Sequence, residues 1–460
     1  MARPLAAVVL AAGAGTRMKS DLPKVLHPVA GVPMLGHVLE TARGLSPERI
    51  VVVVGPGQDR VAAAARPHAT AIQQPPLGTA HALRAAMPAL AGLEGDVVVV
   101  YGDCPLLTTA TIARLVAALH ATTAAGAPRI ALGVLGFRPA DPGPYGRLLL
   151  DPAGDLARIV EAREASPDEL KVGLVNSGVM AIDGRLLPGL LARVTDDNLK
   201  KEFYLTDLAG LARADGHRCV VVEGAEAEFL GVNDRVDLAG AEAAMQQRLR
   251  IAAMRGGVTL IDPATTWLCA DTRFGRDVTV GPNTIFGRDV EIGDNVEIRG
   301  FCHIEGARIE AGAIVGPFAR LRPISVVGAG AHVGNFVELK NATLHEGAKA
   351  NHLAYLGDVE VGARSNIGAG TICVNYDGFG KWRTVVGADA FVGSNASLVA
   401  PVRIGDGANV TAGSVITEDV EADAVAFGRA RQEDKPGRAP AMRAKLKARV
   451  GDPAMRPFKA

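Results

Sequence analysis

Aliphatic residues recur at six-residue spacing through the C-terminal half of the chain, in three runs. The first is Val280, Phe286, Ile292, Ile298 and Ile304; the second is Ile309, Val315, Leu321, Val327, Val333 and Leu339; the third is Val386, Val392, Leu398, Ile404, Val410 and Ile416. Most are followed at once by a small residue, as in Val280-Gly281, Ile292-Gly293 and Ile404-Gly405. Such a period suits neither a helix nor an alternating strand. It suits a coil of short parallel strands joined by tight turns, with one inward aliphatic per side of a triangular prism. Small residues relieve crowding at the corners. The pattern predicts a parallel β-helix built from hexapeptide repeats.

A prism of this kind can serve purely as a scaffold. Two irregularities point beyond that. The register slips between Ile304 and Ile309, and it is lost between Ile367 and Val386. The second break contains Asn375-Tyr376-Asp377-Gly378-Phe379-Gly380-Lys381-Trp382. An insertion carrying aromatic, amide and basic groups on a rigid coil is where function concentrates.

The first half has a different rhythm. Val-rich apolar runs at 5–10, 50–54, 97–101 and 130–135 suit buried parallel strands. Helix-like segments at 34–44 and 78–90 lie between them. This alternation predicts a doubly wound α/β sheet, Rossmann-like, with ligands outside the carboxyl ends of its strands. A segment without the six-residue pattern, Arg235–Arg255, reads as a linking helix. The expected division is 1–235, a linker at 236–256, and the prism with its tail at 257–460.

Composition narrows the function classes. The 460 residues are enough for about two or three domains. Formal net charge is zero, so no overall field favours nucleic acid or an anionic membrane. The apolar stretches at 5–15 and 50–55 are too short for membrane insertion, and the first runs into a glycine loop rather than a signal-peptide cleavage site. Five cysteines without metal-ligand spacing read as reduced thiols of a cytoplasmic protein. The tail from Arg431 carries nine Lys or Arg against three acidic residues, and is expected to be solvated surface or a subunit-crossing arm.

Chemistry begins where the first strand ends, at Leu10-Ala11-Ala12-Gly13-Ala14-Gly15-Thr16-Arg17-Met18. Glycines after a strand let backbone N–H groups wrap around phosphate oxygens. A dinucleotide fingerprint would need glycine where Met18 stands, and a Walker loop would need Gly-Lys-Ser/Thr in place of Gly15-Thr16-Arg17. Arg17 and Lys24 add the positive charge that phosphoryl or nucleotidyl transfer requires. In the second half, Arg320-Leu321-Arg322 and Glu338-Leu339-Lys340 put cations on the prism, where a sugar phosphate could dock. His352 is the candidate base for an acyl transfer to an amine, since histidine titrates near neutral pH.

The series Leu-Ala-Ala-Gly-x-Gly-Thr-Arg-Met, Pro23-Lys24, Gln73-Gln74-Pro75-Pro76-Leu77-Gly78-Thr79-Ala80-His81 and Tyr101-Gly102-Asp103 resembles the signature of sugar-1-phosphate nucleotidyltransferases. Together with the hexapeptide half, the chain resembles the bacterial bifunctional N-acetylglucosamine-1-phosphate uridylyltransferases/glucosamine-1-phosphate N-acetyltransferases, whose prism is a left-handed parallel β-helix. The resemblance implies cytoplasmic enzymes that take acetyl-CoA, glucosamine 1-phosphate and UTP, use Mg²⁺, and assemble as homotrimers.

For the first site the resemblance implies that Leu10, Ala11, Ala12 and Gly13 lie along the nucleotide and that Gln73, Gly78 and Thr79 read the uracil. It further implies that Tyr101, Gly102 and Asp103 line the nucleotide sugar, and that Asp103 and Asn233 hold Mg²⁺. Gly146, Glu161 and Asn176 would hold the amino sugar, while Arg17 and Lys24 offset charge at the α-phosphate. For the second site it implies Arg322, Lys340, Tyr355 and Asn366 on glucosamine phosphate, with His352 as base. Ala369, Asn375, Tyr376, Ser394, Ala412 and Arg429 would lie along acetyl-CoA. Glu338 is the expected partner orienting His352. Cys373-Val374 departs from the family, where a polar pair such as Thr-Cys is expected before Asn375. The alternative is a sugar-1-phosphate nucleotidyltransferase whose prism only assembles subunits.

Overall fold

The computed structural model describes residues 3–121 and 128–450. The chain divides into two compact units. One is Met1–Phe274 with Ile285–Val290; the other is Gly275–Thr284 with Glu291–Ala460.

The first unit is built on a sheet whose main strands are β1 (Leu5–Leu10), β2 (Arg49–Val54), β3 (Ala69–Ile72), β4 (Asp96–Tyr101), β5 (Ile130–Phe137), β6 (Val175–Asp183) and β7 (Arg218–Glu223). Their lateral order is β7-β5-β6-β4-β1-β2-β3. The apolar runs are unbroken because both faces are covered. Ala6, Val8 and Leu10 enter one core, and Ala7, Val9 and Ala11 enter the other.

The four Val-rich runs are parallel to one another as expected, but a strand inserted between β4 and β5 makes the sheet mixed. Strand β6 runs antiparallel to both β4 and β5. Its register shifts between Asn176 and Met180, so Asn176-Ser177-Gly178 interrupts the apolar run. A bulged strand with three small or polar residues gives little hydrophobic signal.

The helix Arg235–Arg255 begins as the residues suggest. Asp234 accepts from the backbone N–H groups of Val236 and Asp237 at its N-terminus. It is packed rather than free-standing. Ala241 and Met245 join Met18, Val29, Met34 and Leu106 in a separate core. The Gln246 amide both donates to the carbonyl of Leu268 (2.7 Å) and accepts from its N–H (2.9 Å).

In the second unit the hexapeptide sides stack in parallel. Glu297–Ile298, Ile314–Val315, His332–Asn335, Lys349–His352, Asn366–Ile367, Phe391–Val392 and Asn409–Val410 follow one another along one face. The periodic aliphatics Ile298, Val315, Val333, Val392 and Val410 all point inward and are buried. Corners are turned by left-handed residues. Asn295, Asn341 and Asn395 have φ of 57, 46 and 56°, a conformation that asparagine tolerates. Phe301, Phe318 and Phe336 occupy such corners too, at φ 62, 58 and 56°.

The second break in the repeat is an ordered loop between Ile372–Val374 and Thr384–Val386. Asp377 closes it, accepting from the N–H groups of Phe379 (2.8 Å) and Gly380 (2.7 Å) and from the Trp382 indole (2.6 Å). These donors hold the Asp377 carboxyl down at about 2. Within the basic tail, Arg438–Val450 forms an exposed helix; the last ten residues, 451–460, lie outside the described residues. No helix among the described residues is long and apolar enough to cross a membrane.

Two candidate active sites

A cavity of about 290 Å³ opens at the carboxyl ends of β1 and β4, where the strand order of an α/β sheet places ligands. Leu10, Ala11, Ala12, Gly13, Lys24, Gln73, Gly78, Thr79, Tyr101 and Asp103 line it, so ten of the expected residues share one hollow. Gly102 ties its floor together, donating to the Leu10 carbonyl at 2.9 Å. Gly15 has φ of 64°, and a Cβ there would lie 2.6 Å from the Lys24 Cβ. Only glycine lets this loop pass so close to the lysine.

Charge is concentrated at one end. The Lys24 ammonium pairs with Asp103 Oδ2 and lies 3.4 Å from Asn233 Oδ1. Arg17 Nη2 donates to the same Asn233 oxygen at 2.9 Å. Two hard oxygens from distant parts of the sequence therefore converge on a positive charge. Among the described residues, no three His, Cys, Asp or Glu gather around a common point.

At the other end the geometry fixes a hydrogen-bond polarity. Gln73, 5% exposed, donates through Nε2 to the Gly78 carbonyl at 2.8 Å and lies 3.4 Å from His81 Nδ1. A carbonyl only accepts, so the amide NH₂ is committed there and Oε1 is left for a ligand N–H. His81 was absent from the expected set, although it follows Thr79 by only two residues.

Gly146, Glu161 and Asn176 lie beyond Tyr101. Asn176 donates from its N–H to the Gly146 carbonyl (2.8 Å), and its side-chain oxygen accepts from Gly178 N–H (2.8 Å). The Tyr101 ring packs on Gly178, where a Cβ would come within 2.6 Å. Thr206 donates to Glu161 at 3.4 Å. Burial raises the Glu161 carboxyl above its ordinary range, and burial, then Asp103, raises the Tyr101 phenol.

The second constellation gathers along one edge of the prism. His352 ends a strand on one face, Leu353 turns the corner at φ 51°, and Tyr355 starts the next face. On that next face Glu338 is in register with Tyr355, and Lys340 with Gly357. Arg322 donates from its N–H to the Leu339 carbonyl at 2.9 Å, one coil earlier. Lys381, from the inserted loop, stands close to Lys340, and this second ammonium lowers the Lys340 pKa. Asn366 stands opposite Lys349, at the other end of that strand from His352.

The expected Glu338–His352 pairing is not formed. The Glu338 carboxylate instead accepts from Arg322 Nη1 at 3.0 Å. Strand alternation explains this: in that register Glu338 is stacked between Arg320 and Tyr355, on the face after the corner. The partner of His352 is Asn335, whose Oδ1 lies 2.6 Å from Nδ1 of the ring. Asn335 sits one coil earlier, in register with His352. A break-free run of hexapeptides could have given this neighbour by counting, but Asn335 carries no chemical signal alone.

Ala369, Ser394, Ala412 and Arg429 form a column on successive coils. Asn395 N–H donates to the Ala369 carbonyl (2.7 Å) and Gly413 N–H to the Ser394 carbonyl (2.8 Å). A Cβ on Gly393 would meet Ala412 N at 2.4 Å, and one on Gly413 would lie 3.7 Å from Arg429 Cδ. Asn375 is buried, with its amide on the Asp358 carboxylate, which also accepts from Asn341 at 2.7 Å. Tyr376 is turned back into the loop, its hydroxyl donating to the Gly378 carbonyl at 2.6 Å.

Comparison with known proteins agrees with both halves. The MobA-like NTP transferase domain matches residues 7–139, and the bacterial transferase hexapeptide (six repeats) matches 271–306 and 383–418. The bifunctional protein GlmU of Paramagnetospirillum magneticum is 57% identical, over 97% of this chain and 98% of that protein. That of Rhodospirillum rubrum is 57% identical over 97% and 99%, and that of Paracoccus denitrificans 51% identical over 98% and 99%. The chain belongs to the bifunctional GlmU family, with a nucleotidyltransferase unit and a hexapeptide acyltransferase unit serving UDP-N-acetylglucosamine synthesis.

Proposed function

We propose that the two constellations act as separate catalytic sites, with the functional division at 1–235 and 257–460 joined by the helix at 236–256. At the prism, the amine of glucosamine 1-phosphate attacks the thioester carbon of acetyl-CoA. The N–C bond forms, the C–S bond breaks, His352 takes the amine proton, and the CoA thiolate leaves to be protonated. Arg322, Lys340 and Tyr355 bind the sugar phosphate, with Asn366 completing the acceptor site. Ala369, Asn375, Tyr376, Ser394, Ala412 and Arg429 carry the acetyl-CoA.

In the first unit, a phosphate oxygen of N-acetylglucosamine 1-phosphate attacks the α-phosphorus of UTP in line, and pyrophosphate leaves. No protein nucleophile is needed. Lys24 and Arg17 offset the charge that develops on the α-phosphate. Leu10 to Gly13 follow the nucleotide, and Gln73, Gly78 and Thr79 read its base. Tyr101, Gly102, Gly146, Glu161 and Asn176 hold the sugar. Asp103 and Asn233 would hold Mg²⁺, which when bound neutralises phosphate charge. Their convergence on the Lys24 ammonium supports that reading, as does their supply of hard oxygens without a full protein cage.

The observation that carries the acetyl assignment is the clustering of His352, Tyr355, Lys340 and Arg322 on one prism edge. We further propose a homotrimer in the cytoplasm. The exposed corner row Phe301, Phe318 and Phe336 supports self-association, and five buried free thiols suit a reducing compartment. The test is thiol release from acetyl-CoA with glucosamine 1-phosphate, leaving out UTP and Mg²⁺. Acceptor-dependent release is expected. No release from folded, assembled protein would reduce the prism to a scaffold.

A further inference from the structure

We propose that Asn335 is a positioning residue for acetyl transfer, holding the His352 ring with its proton on Nδ1 so that Nε2 faces the amine as base. The proposal rests on reading the prism edge as the acetyl site.

Asn335 grips His352 in two ways. Its side-chain Oδ1 lies 2.6 Å from Nδ1 of the ring. Its backbone carbonyl accepts from the N–H of Leu353, the corner residue that follows, at 3.0 Å. An amide oxygen only accepts, so the ring nitrogen facing it carries hydrogen. A neutral imidazole has one N–H, which leaves the lone pair on Nε2. Without a fixed partner the ring would divide between two tautomers and rotate, and one of the two presents no base to the amine.

The choice of an amide has a second consequence. A carboxylate at this position would orient the ring equally well but would stabilise the imidazolium. The base would then stay protonated over more of the neutral range. The carboxylate that is near in sequence, Glu338, is engaged by Arg322 on the adjoining face. His332 is the titratable neighbour on the same face as His352. Burial, then the Arg299 guanidinium, holds His332 below its ordinary range. The remaining charged groups near this edge are the cations Arg322, Lys340, Lys349 and Lys381 and the Asp358 carboxylate, which faces Lys340 and Lys381. Asn335 therefore fixes direction without adding charge.

The experiment is the pH profile of acetyl transfer from acetyl-CoA to glucosamine 1-phosphate, measured on the full chain for wild type, Asn335→Ala, Asn335→Asp and His352→Gln. Uridylyl transfer by the same preparations reports that each chain is folded. Asn335→Ala is expected to lower kcat about tenfold, with KM for acetyl-CoA within about twofold. Asn335→Asp is expected to regain most of the plateau while moving the acid limb up by about one pH unit. A limb that stays in place in Asn335→Asp overturns the proposal, whatever Asn335→Ala does. If His352→Gln keeps acetyl transfer, the assignment of the base fails instead, and the two failures are thereby told apart.

Discussion

The ammonium of Lys24 rests on the carboxylate of Asp103, pairing a residue that follows the phosphate loop with one at the end of a central strand. Both side chains are mostly buried, at 13 and 19% exposure, so each leaves the other's charge poorly compensated if it is removed. The pairing makes sense as a charge store for a polyphosphate site. Asp103→Ala is expected to reduce uridylyl transfer by roughly 10³-fold or more while leaving acetyl transfer within about twofold. His352→Ala is expected to do the reverse. Pyrophosphate release and thiol release, assayed on the same two variants, check this. If one substitution removed both activities from folded protein, the two-site assignment would be wrong.

The commitment of the Gln73 NH₂ to Gly78 has a consequence for nucleotide choice. The free Oε1 welcomes a base edge bearing N–H, as the imide of uracil does, and meets a lone pair on cytosine N3. Opposed acceptors in a buried site are costly, on the order of 2–3 kcal/mol. UTP should exceed CTP in kcat/KM by about 10²-fold. Gln73→Ala, which removes the Oε1 acceptor, should lose most of that ratio. Comparable rates with both nucleotides for the wild-type chain would contradict the orientation.

Much of this was legible in the residues because the signals were redundant. The runs at 5–10 and 97–101 announce buried strands; the structure has the first as Leu5–Leu10 unchanged and the second as Asp96–Tyr101, one residue longer. The six-residue period fixed which side chains of the prism point inward, and the lost register marked the loop that brings Lys381 to Lys340. Three features escaped. Val175–Asp183 carries a bulge in place of a hydrophobic period, so its antiparallel insertion left no pattern. His81 looked like part of a motif rather than a partner for Gln73. Proximity in the coil pattern points to Glu338 as the partner of His352, but the prism corner separates that pair and places Asn335 in register with the ring.

Asp207 stands at the first turn of its helix with Glu161 and Glu164 nearby. Burial, then the repulsion of those two carboxylates, lifts its pKa to about 6. A carboxyl whose folded value exceeds its unfolded one binds more protons in the native state, so this group costs stability as pH rises from about 4 to 6. The cost is complete above that window. Because the group is only partly buried, solvent screening leaves a penalty of about 1 kcal/mol. Asp207→Asn should therefore raise the thermal midpoint of the first unit at pH 7.5, by about 2 °C. That advantage should shrink by about half at pH 5. An advantage that is constant across this range would point to a cause other than the Asp207 charge.

Phe301, Phe318 and Phe336 stack one above another at a corner of the prism, with ring centroids 4.9 and 5.0 Å apart and planes tilted by 15°. They are 51, 44 and 55% exposed, and Leu353, next along the same sequence of corners, is 59% exposed. Four large apolar groups in line, held in left-handed backbone at every step, form a patch that water disfavours. Burying them against equivalent surface of other copies would remove it, at about 25 cal/mol for each Å² covered. Phe318→Asp combined with Phe336→Asp should convert the proposed trimer into monomers, because charges at the centre of a dry contact must be desolvated without partners. Light scattering coupled to size exclusion reads the mass directly. Uridylyl transfer, proposed to use residues of the first unit, should survive in the monomer, while acetyl transfer falls if the prism edge beside Leu353 is completed by a neighbouring copy. A double variant that remains trimeric would mean that assembly runs through another face.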